Sequence, residues 1–272
     1  MTTHDTAIAL AATSPIKWRR YGVIIGRVLL IAFLLVLWKI GAEVAGPVYF
    51  ADPIKVAERI VTDTASGALL HHIYATLRIS VIGFAIGCFF GVALPFVLRR
   101  MPRVTAAVEP YIMASVGIPK YALIPLFILY FGIDDAPKLW LIGLLVFYPV
   151  FIAVFAGIRN VDRRLINMAR IVGASDTRIA HEVIWKSLQP FFFAALKIAL
   201  PRAISAAIIG EFLVGNEGLG YLIENSRQNF DTTGVFEGIV VATALVLIIN
   251  TVLVALDHRF NAWRPTDRHM EI

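Results

Sequence analysis

Six long apolar runs, separated by shorter polar stretches, dominate the chain: residues 22–44, 73–98, 108–131, 139–158, 191–214 and 235–256. Each is close to the roughly 17–25 residues that a membrane-spanning helix requires. In lipid only a structure that satisfies its own backbone hydrogen bonds can cross, and a helix does so within one segment. The pattern predicts an all-α integral membrane protein of about six transmembrane helices. Two runs carry further detail. Gly83, Gly87 and Gly91 form a small-residue ladder on one face of the second, where another helix backbone can approach closely. Pro110, Pro119 and Pro125 punctuate the third, with Lys120 among them. A proline removes a backbone donor and clashes with the preceding turn, so this helix is expected to be bent or broken.

The polar stretches set the orientation. Lys17, Arg19 and Arg20 precede the first run; Arg99, Arg100 and Arg103 follow the second. Arg159, Arg163, Arg164, Arg170, Arg178 and Lys186 lie between the fourth and fifth, and Arg259, Arg264 and Arg268 follow the sixth. These fifteen fall on one side, against five on the other (Lys55, Arg59, Arg78, Lys138 and Arg227). The richer side is cytoplasmic, which puts both termini inside and makes the helix count even. The first run exceeds a signal-peptide core and lacks a small-residue cleavage site, so it reads as a retained helix. Outside, Asp134 and Asp135 are expected to cap the turn before the fourth helix, and residues 215–220 to form a tight re-entrant turn.

Composition agrees: of 272 residues, 58% are hydrophobic and 16% charged, far from the balance of a soluble domain. The net charge of +6 does not point to nucleic acid, because the basic residues sit between apolar runs. The single cysteine, Cys88, lies inside a run, so no internal disulfide is available. Catalytic patterns are missing: the histidines (4, 71, 72, 181, 258 and 269) show no metal-protease spacing, and no nucleotide-binding lysine loop or serine elbow occurs. Glu211 reads as the only acid deep in a helix run. A membrane enzyme therefore has little support.

Function is carried by two other features. Residues 159–189 form a cytoplasmic segment too long for a simple connection. Leu165, Ala169 and Val172 share a helical face there, and Gly173-Ala174-Ser175-Asp176 supplies a turn and a helix cap. Such a shaped loop fits engagement by a partner, the alternative being a helix resting on lipid headgroups. The second feature is the fifth helix, with Lys197, Arg202 and Glu211 in one apolar run. Lys197 and Glu211 share a face with Ile204 and Ile208, whereas Arg202 points elsewhere. Buried charges of this kind face a bundle interior or water, which leaves ion pairing, gating and substrate contact open.

The motifs now add up to a likeness. Residues 51–56 (Ala-Asp-Pro-Ile-Lys-Val), the run Ile118-Pro119-Lys120-Tyr121-Ala122-Leu123-Ile124-Pro125-Leu126-Phe127 continuing to Gly132, Gly157 to Asp162, Glu211 with Gly218-Leu219-Gly220, and Trp263-Arg264 resemble the permease subunits of ABC importers in the nitrate/sulfonate/taurine/bicarbonate group. The likeness extends from about residue 51 to 265. The family's cytoplasmic motif corresponds to Asn167, Met168, Ala169, Gly173, Val183 and Ile184; Asn167 and Met168 depart from its opening Glu-Ala, and Lys186 replaces a usual proline, with Pro190 retained.

The resemblance implies a non-catalytic permease in the bacterial plasma (inner) membrane, with a tail over residues 1–20, a transmembrane domain over 21–265 and a tail over 266–272. Two copies would form the path for a small anionic solute. Two ABC ATPase subunits, carrying ATP and Mg, would dock on the coupling loop (Asn167, Met168, Ala169, Gly173, Ala174, Ser175), and an extracytoplasmic solute-binding protein would deliver the solute. This chain itself would bind no cofactor or metal. Lys120, Lys197, Arg202 and Glu211 are the path or gate candidates. The rival is a stand-alone secondary transporter or channel, which favours an inverted repeat and midplane acids.

Overall fold

The computed structural model describes residues 15–260, with side chains over 22–255 except residue 24. The Trp263-Arg264 pair and both predicted tails, except residues 15–20 of the first, lie outside the described residues. Eleven helices follow one another: α1 Pro15–Ala45, α2 Pro53–Ala65, α3 Ala68–Leu98, α4 Pro102–Ser115, α5 Ile124–Phe131, α6 Asp135–Arg159, α7 Arg163–Ile171, α8 Asp176–Arg178, α9 Lys186–Val214, α10 Leu219–Gln228 and α11 Thr232–Phe260. A 3-10 turn, Lys120–Leu123, leads into α5, and a π-helical segment, Ile179–Trp185, joins α8 to α9. No strand occurs among the described residues. Five helical stretches are long and apolar enough to cross a membrane, and six if α4 and α5 count as one broken span.

The core is a three-helix seam of α3, α6 and α9, and small side chains make it possible. A Cβ on Gly83 would lie 2.6 Å from the Ile142 Cβ, one on Gly87 2.6 Å from both the Gly143 carbonyl oxygen and the Val146 Cβ, and one on Gly91 2.8 Å from the Val150 Cβ. The glycine ladder of α3 thus seats the β-branched ridge of α6 directly on its backbone. On the other side of α6, Ala195, Ala199, Ala203, Ala206 and Ala207 of α9 are buried in the same cluster. Without a hydrophobic drive between helices in lipid, this close approach supplies the packing energy. A second cluster, with Leu69, Ile204, Leu219 and Leu245, ties α11 and α10 to α3 and α9.

α1 stands apart. Its described apolar side chains from Val23 to Leu37 are exposed on every side, as expected of a lipid-facing span. It is tied in only near its end, where the Trp38 indole donates to the Ala51 carbonyl at 2.9 Å and Lys39 donates to Asp52 at 2.6 Å. Asp52 also caps α2, accepting from the Ile54 N–H at 2.9 Å, with Pro53 at the first helical position. The Lys39 hydrogen bond and then the Ile54 N–H hold its carboxyl below the usual carboxylate range.

Several sequence expectations change here. α3, α6 and α9 begin about five residues before their apolar runs, because His71, His72, Lys138 and Lys186 lie in helical turns at the bundle ends. α2 and α10 are helices that no apolar run announced. Asp134 precedes α6 without making a side-chain cap; Asp135 instead binds Arg78 at 2.9 Å and Lys138 at 2.7 Å. Pro110 sits within α4 without ending it. The break comes later, at residues 116–119, and α4 and the Lys120–Phe131 unit diverge by 91°. Glu211 is not the only buried acid: Glu237, near the start of α11, is fully buried beside Arg59, whose Nε lies 3.2 Å away.

Candidate translocation path and coupling loop

Residues 159–189 fold as a helix, a tight turn and a second helix. Asp162 caps α7 by accepting from the Arg164 N–H at 2.8 Å. At the far end the Ala174 N–H reaches back to the Ala169 carbonyl and the Gly173 N–H to that of Arg170, each at 2.9 Å. This closure needs a left-handed residue, and Gly173, at φ +79°, supplies it. Ser175 then accepts from the Arg178 N–H at 3.3 Å, starting the next helix. Two caps and a closed turn make the loop stiff.

The face of α7 that meets the protein is Ile166 and Ala169, packed on the core together with Ala174. Leu165 and Val172, expected to share that face with Ala169, are exposed, as are Asn167, Met168 and Ile171. Ile171 and Val172 are 84% and 82% exposed. Beside them lies a cavity of about 480 Å³ lined by Ala169, Val172, Gly173, Ala174, Ile179 and Val183, with Arg178 and Glu182. Lys186, standing where the family motif has proline, lets the helix run on and pairs with Glu182 at 2.5 Å. Trp185 packs against Phe96 and Phe192, so the loop is locked to α3 and α9.

At the other end of the bundle, three successive backbone N–H groups are each captured by a side chain. Gly218 donates to His72 Nδ1 at 3.2 Å, Leu219 to Thr76 Oγ1 at 2.8 Å and Gly220 to Glu211 Oε2 at 3.0 Å. The Thr76 hydroxyl in turn donates to the same Glu211 oxygen at 2.8 Å. Gly218 and Gly220 are required because a Cβ on either would collide with Glu211; Gly218, at φ +102°, also has a backbone few other residues adopt. Around this knot Arg78 joins Asp135 and Glu217, the latter at 3.0 Å. The Lys138 stem crosses Gly210, and the residue is only 4% exposed. The turn expected over residues 215–220 spans only 215–218, and Leu219 and Gly220 already open α10. Sequence reading missed His72 and Thr76; nothing local marks residues whose partners lie more than a hundred positions away.

The four path candidates separate. Glu211, 2% exposed, is turned into the chain together with Ile204, 1% exposed, so the face they share packs inward. Lys197 is half-buried. Arg202 is exposed, on a stripe of α9 with Ile198 and Ser205. Lys120 sits at the break between α4 and α5, donating to the Val116 and Ile118 carbonyls at 2.7 and 3.2 Å, over the Tyr148 ring at 4.4 Å. At the end of the bundle nearest α7, Glu109 of α4 accepts from Arg159 of α6 at 2.5 Å.

Comparison with known proteins places the chain. The profile of binding-protein-dependent transport system inner membrane components matches residues 83–263. The chain belongs to this family. As an ABC transporter permease it is 32% identical over 232 residues to a formylaminopyrimidine transport permease protein of Halalkalibacterium halodurans, covering 85% of this chain and 92% of that one. It is 26% identical over 240 residues to the taurine transport system permease protein of Escherichia coli, covering 86% and 87%. The fold matches a crystal structure of an amino acid ABC transporter with histidines at a TM-score of 0.59 and 16% identity, over 74% of this permease and 96% of that chain. This permease is thus a multi-pass inner-membrane transport component.

Proposed function

We propose that this permease is the non-catalytic half of an ATP-driven importer for a small anionic solute. Two copies enclose the path, two ATPase subunits bind ATP and Mg and dock beneath α7, and an extracytoplasmic solute-binding protein delivers the solute. Both termini are cytoplasmic in this arrangement. The observation that carries the reading is α7 itself: Leu165, Met168, Ile171 and Val172 stay exposed on a stiff, doubly capped element beyond the predicted spans. Exposed apolar side chains held so rigidly fit a partner surface, and the locked joint to α9 provides the lever. A pore equilibrium shifts only through contacts that differ between its states.

In the path, the exposed stripe of α9 and the Lys120 break form the wall, Lys197 flanks it, and Glu211 acts behind it by anchoring the start of α10. The relatives' names span taurine and formylaminopyrimidine, so the solute's charge class rests on the cations of this wall.

Ile171→Asp, alone and with Met168→Asp, tests the docking. Neither side chain is buried in the chain, so insertion and yield should hold. Co-purification of the ATPase and ATP-dependent uptake should fall at least about tenfold, because a carboxylate must be desolvated at the contact. Unchanged uptake by the double variant would show that α7 is not the docking element.

A further inference from the structure

Resting on the orientation given with the permease reading above, we propose that His72 makes the polar knot a pH-sensitive latch on uptake. The neutral imidazole holds the 215–218 turn shut, and the imidazolium releases it. Three successive backbone N–H groups lead into α10, and each has a side-chain acceptor. These are His72 Nδ1 for Gly218 at 3.2 Å, Thr76 Oγ1 for Leu219 at 2.8 Å and Glu211 Oε2 for Gly220 at 3.0 Å. A backbone N–H only donates, so the Nδ1 that receives it carries no proton. Acid leaves the other two acceptors in place: a hydroxyl keeps its lone pairs, and a protonated carboxyl still has an oxygen that accepts. An imidazolium has two donors and no acceptor. Protonating His72 therefore sets two N–H groups against each other across the 3.2 Å contact.

The surroundings hold no idle acid to take the new charge. Glu217, in the turn itself, is met by His71 Nε2 at 3.2 Å and by Arg78 at 3.0 Å. Asp135, at the start of α6, binds Arg78 and Lys138. Glu211 accepts from Thr76 and Gly220. Asp63 of α2, Asp231 and Glu237 of α11 gather on Arg59. From α10 the facing group is Tyr221, its ring centroid 6.0 Å from that of the imidazole. His71 is exposed next in the chain, so acid places two imidazolium charges beside Arg78, and their repulsion adds to the lost hydrogen bond. The far end of the turn stays fixed, with the Gly215 N–H on the Glu211 carbonyl at 2.7 Å, which confines the opening to residues 216–218. In the proposed orientation this end meets the extracytoplasmic solution, whose pH the cell does not hold constant.

The test uses the assembled importer in lipid nanodiscs, with amide exchange at residue 218 followed from about pH 8 to about pH 5, the range over which histidine changes charge. The intrinsic pH dependence of exchange is divided out. Opening at residue 218 should rise at least about tenfold in acid, the scale of one lost hydrogen bond with its donor left unpaired. His72→Asn, whose Oδ1 stands where Nδ1 does and cannot become a donor, should stay protected throughout. His72→Phe should be open at both ends of the range, and His71→Asn should keep the acid response. A wild-type protein with no acid response, or a response that persists in His72→Asn, overturns the latch. Loss of the response in His71→Asn overturns it too, because the switch would then be the His71–Glu217 pair. In vesicles, ATP-driven uptake should fall several-fold at low outer pH in the wild type and hold in His72→Asn. Uptake indifferent to outer pH while residue 218 opens overturns the latch as a control on transport. Uptake that needs no ATP at either pH sinks the permease reading alone and leaves the exchange result standing.

Discussion

Gly87→Leu should separate α3 from α6 and cost roughly 3 kcal/mol or more, the upper end for overpacking a close contact. The reason is what stands in the way. A Cβ at Gly87 meets a backbone carbonyl oxygen and a branched Cβ, both at 2.6 Å, and neither is the free end of a flexible side chain. The same ladder repeats this contact one turn away in each direction at Gly83 and Gly91, so the helices cannot tilt to make room without losing those contacts too. Yield of folded protein in detergent should drop sharply and the thermal midpoint should fall. Gly26→Leu is the matched control: it adds the same bulk to a helix where nothing lies within 4 Å, and should leave the midpoint unchanged. A Gly87→Leu protein as stable as that control would mean α3 and α6 do not meet along this face.

Glu211→Ala should be nearly as damaging, while Glu211→Gln should be mild. Both hydrogen bonds that Glu211 accepts, from Thr76 and from the Gly220 N–H, end on Oε2. Glutamine keeps an oxygen in that place. Alanine strands two buried donors, each worth about 1–3 kcal/mol when left unpaired, and opens a hole beneath Gly218. The readout is amide hydrogen exchange at residues 218–220: protection should survive in Glu211→Gln and be lost in Glu211→Ala. Equal protection in both would show that the turn is held from elsewhere. If Glu211→Gln alone abolished transport with the turn intact, the charge of Glu211 rather than its anchoring would be what matters.

The two predictions mark where sequence reading reaches and where it stops. Apolar run length located the spans, since lipid demands about 20 apolar residues whatever the fold. It could not find α2 or α10, which are short, polar and outside the apolar runs. It put Lys197 and Glu211 on one face among the path or gate candidates, because angular position around one helix is all a sequence offers. Which side of α9 is buried depends on α3, α6 and α11, and the alanine ladder, not the charges, decides it. Arg202, the charge that faces away from that ladder, was grouped with the others by chemistry and is separated from them only by packing. Likewise Leu165, Ala169 and Val172 share a helical face in projection, yet the turn at Gly173 carries Val172 off the core and leaves Ala169 there with Ile166. The departures at Asn167 and Met168 leave the local turn intact for a related reason: both side chains are exposed on α7, and backbone bonds close the Gly173 turn.

The central claim is that solute moves through this chain only when a partner hydrolyses ATP. It is tested most directly in proteoliposomes holding the permease with its ATPase, supplied outside with its binding protein and the solute eluted from that protein. The account predicts accumulation that requires ATP on the ATPase side and binding protein on the other, and none with a hydrolysis-deficient ATPase. Accumulation or equilibration by the permease alone, driven by an ion or solute gradient without the ATPase, would contradict it.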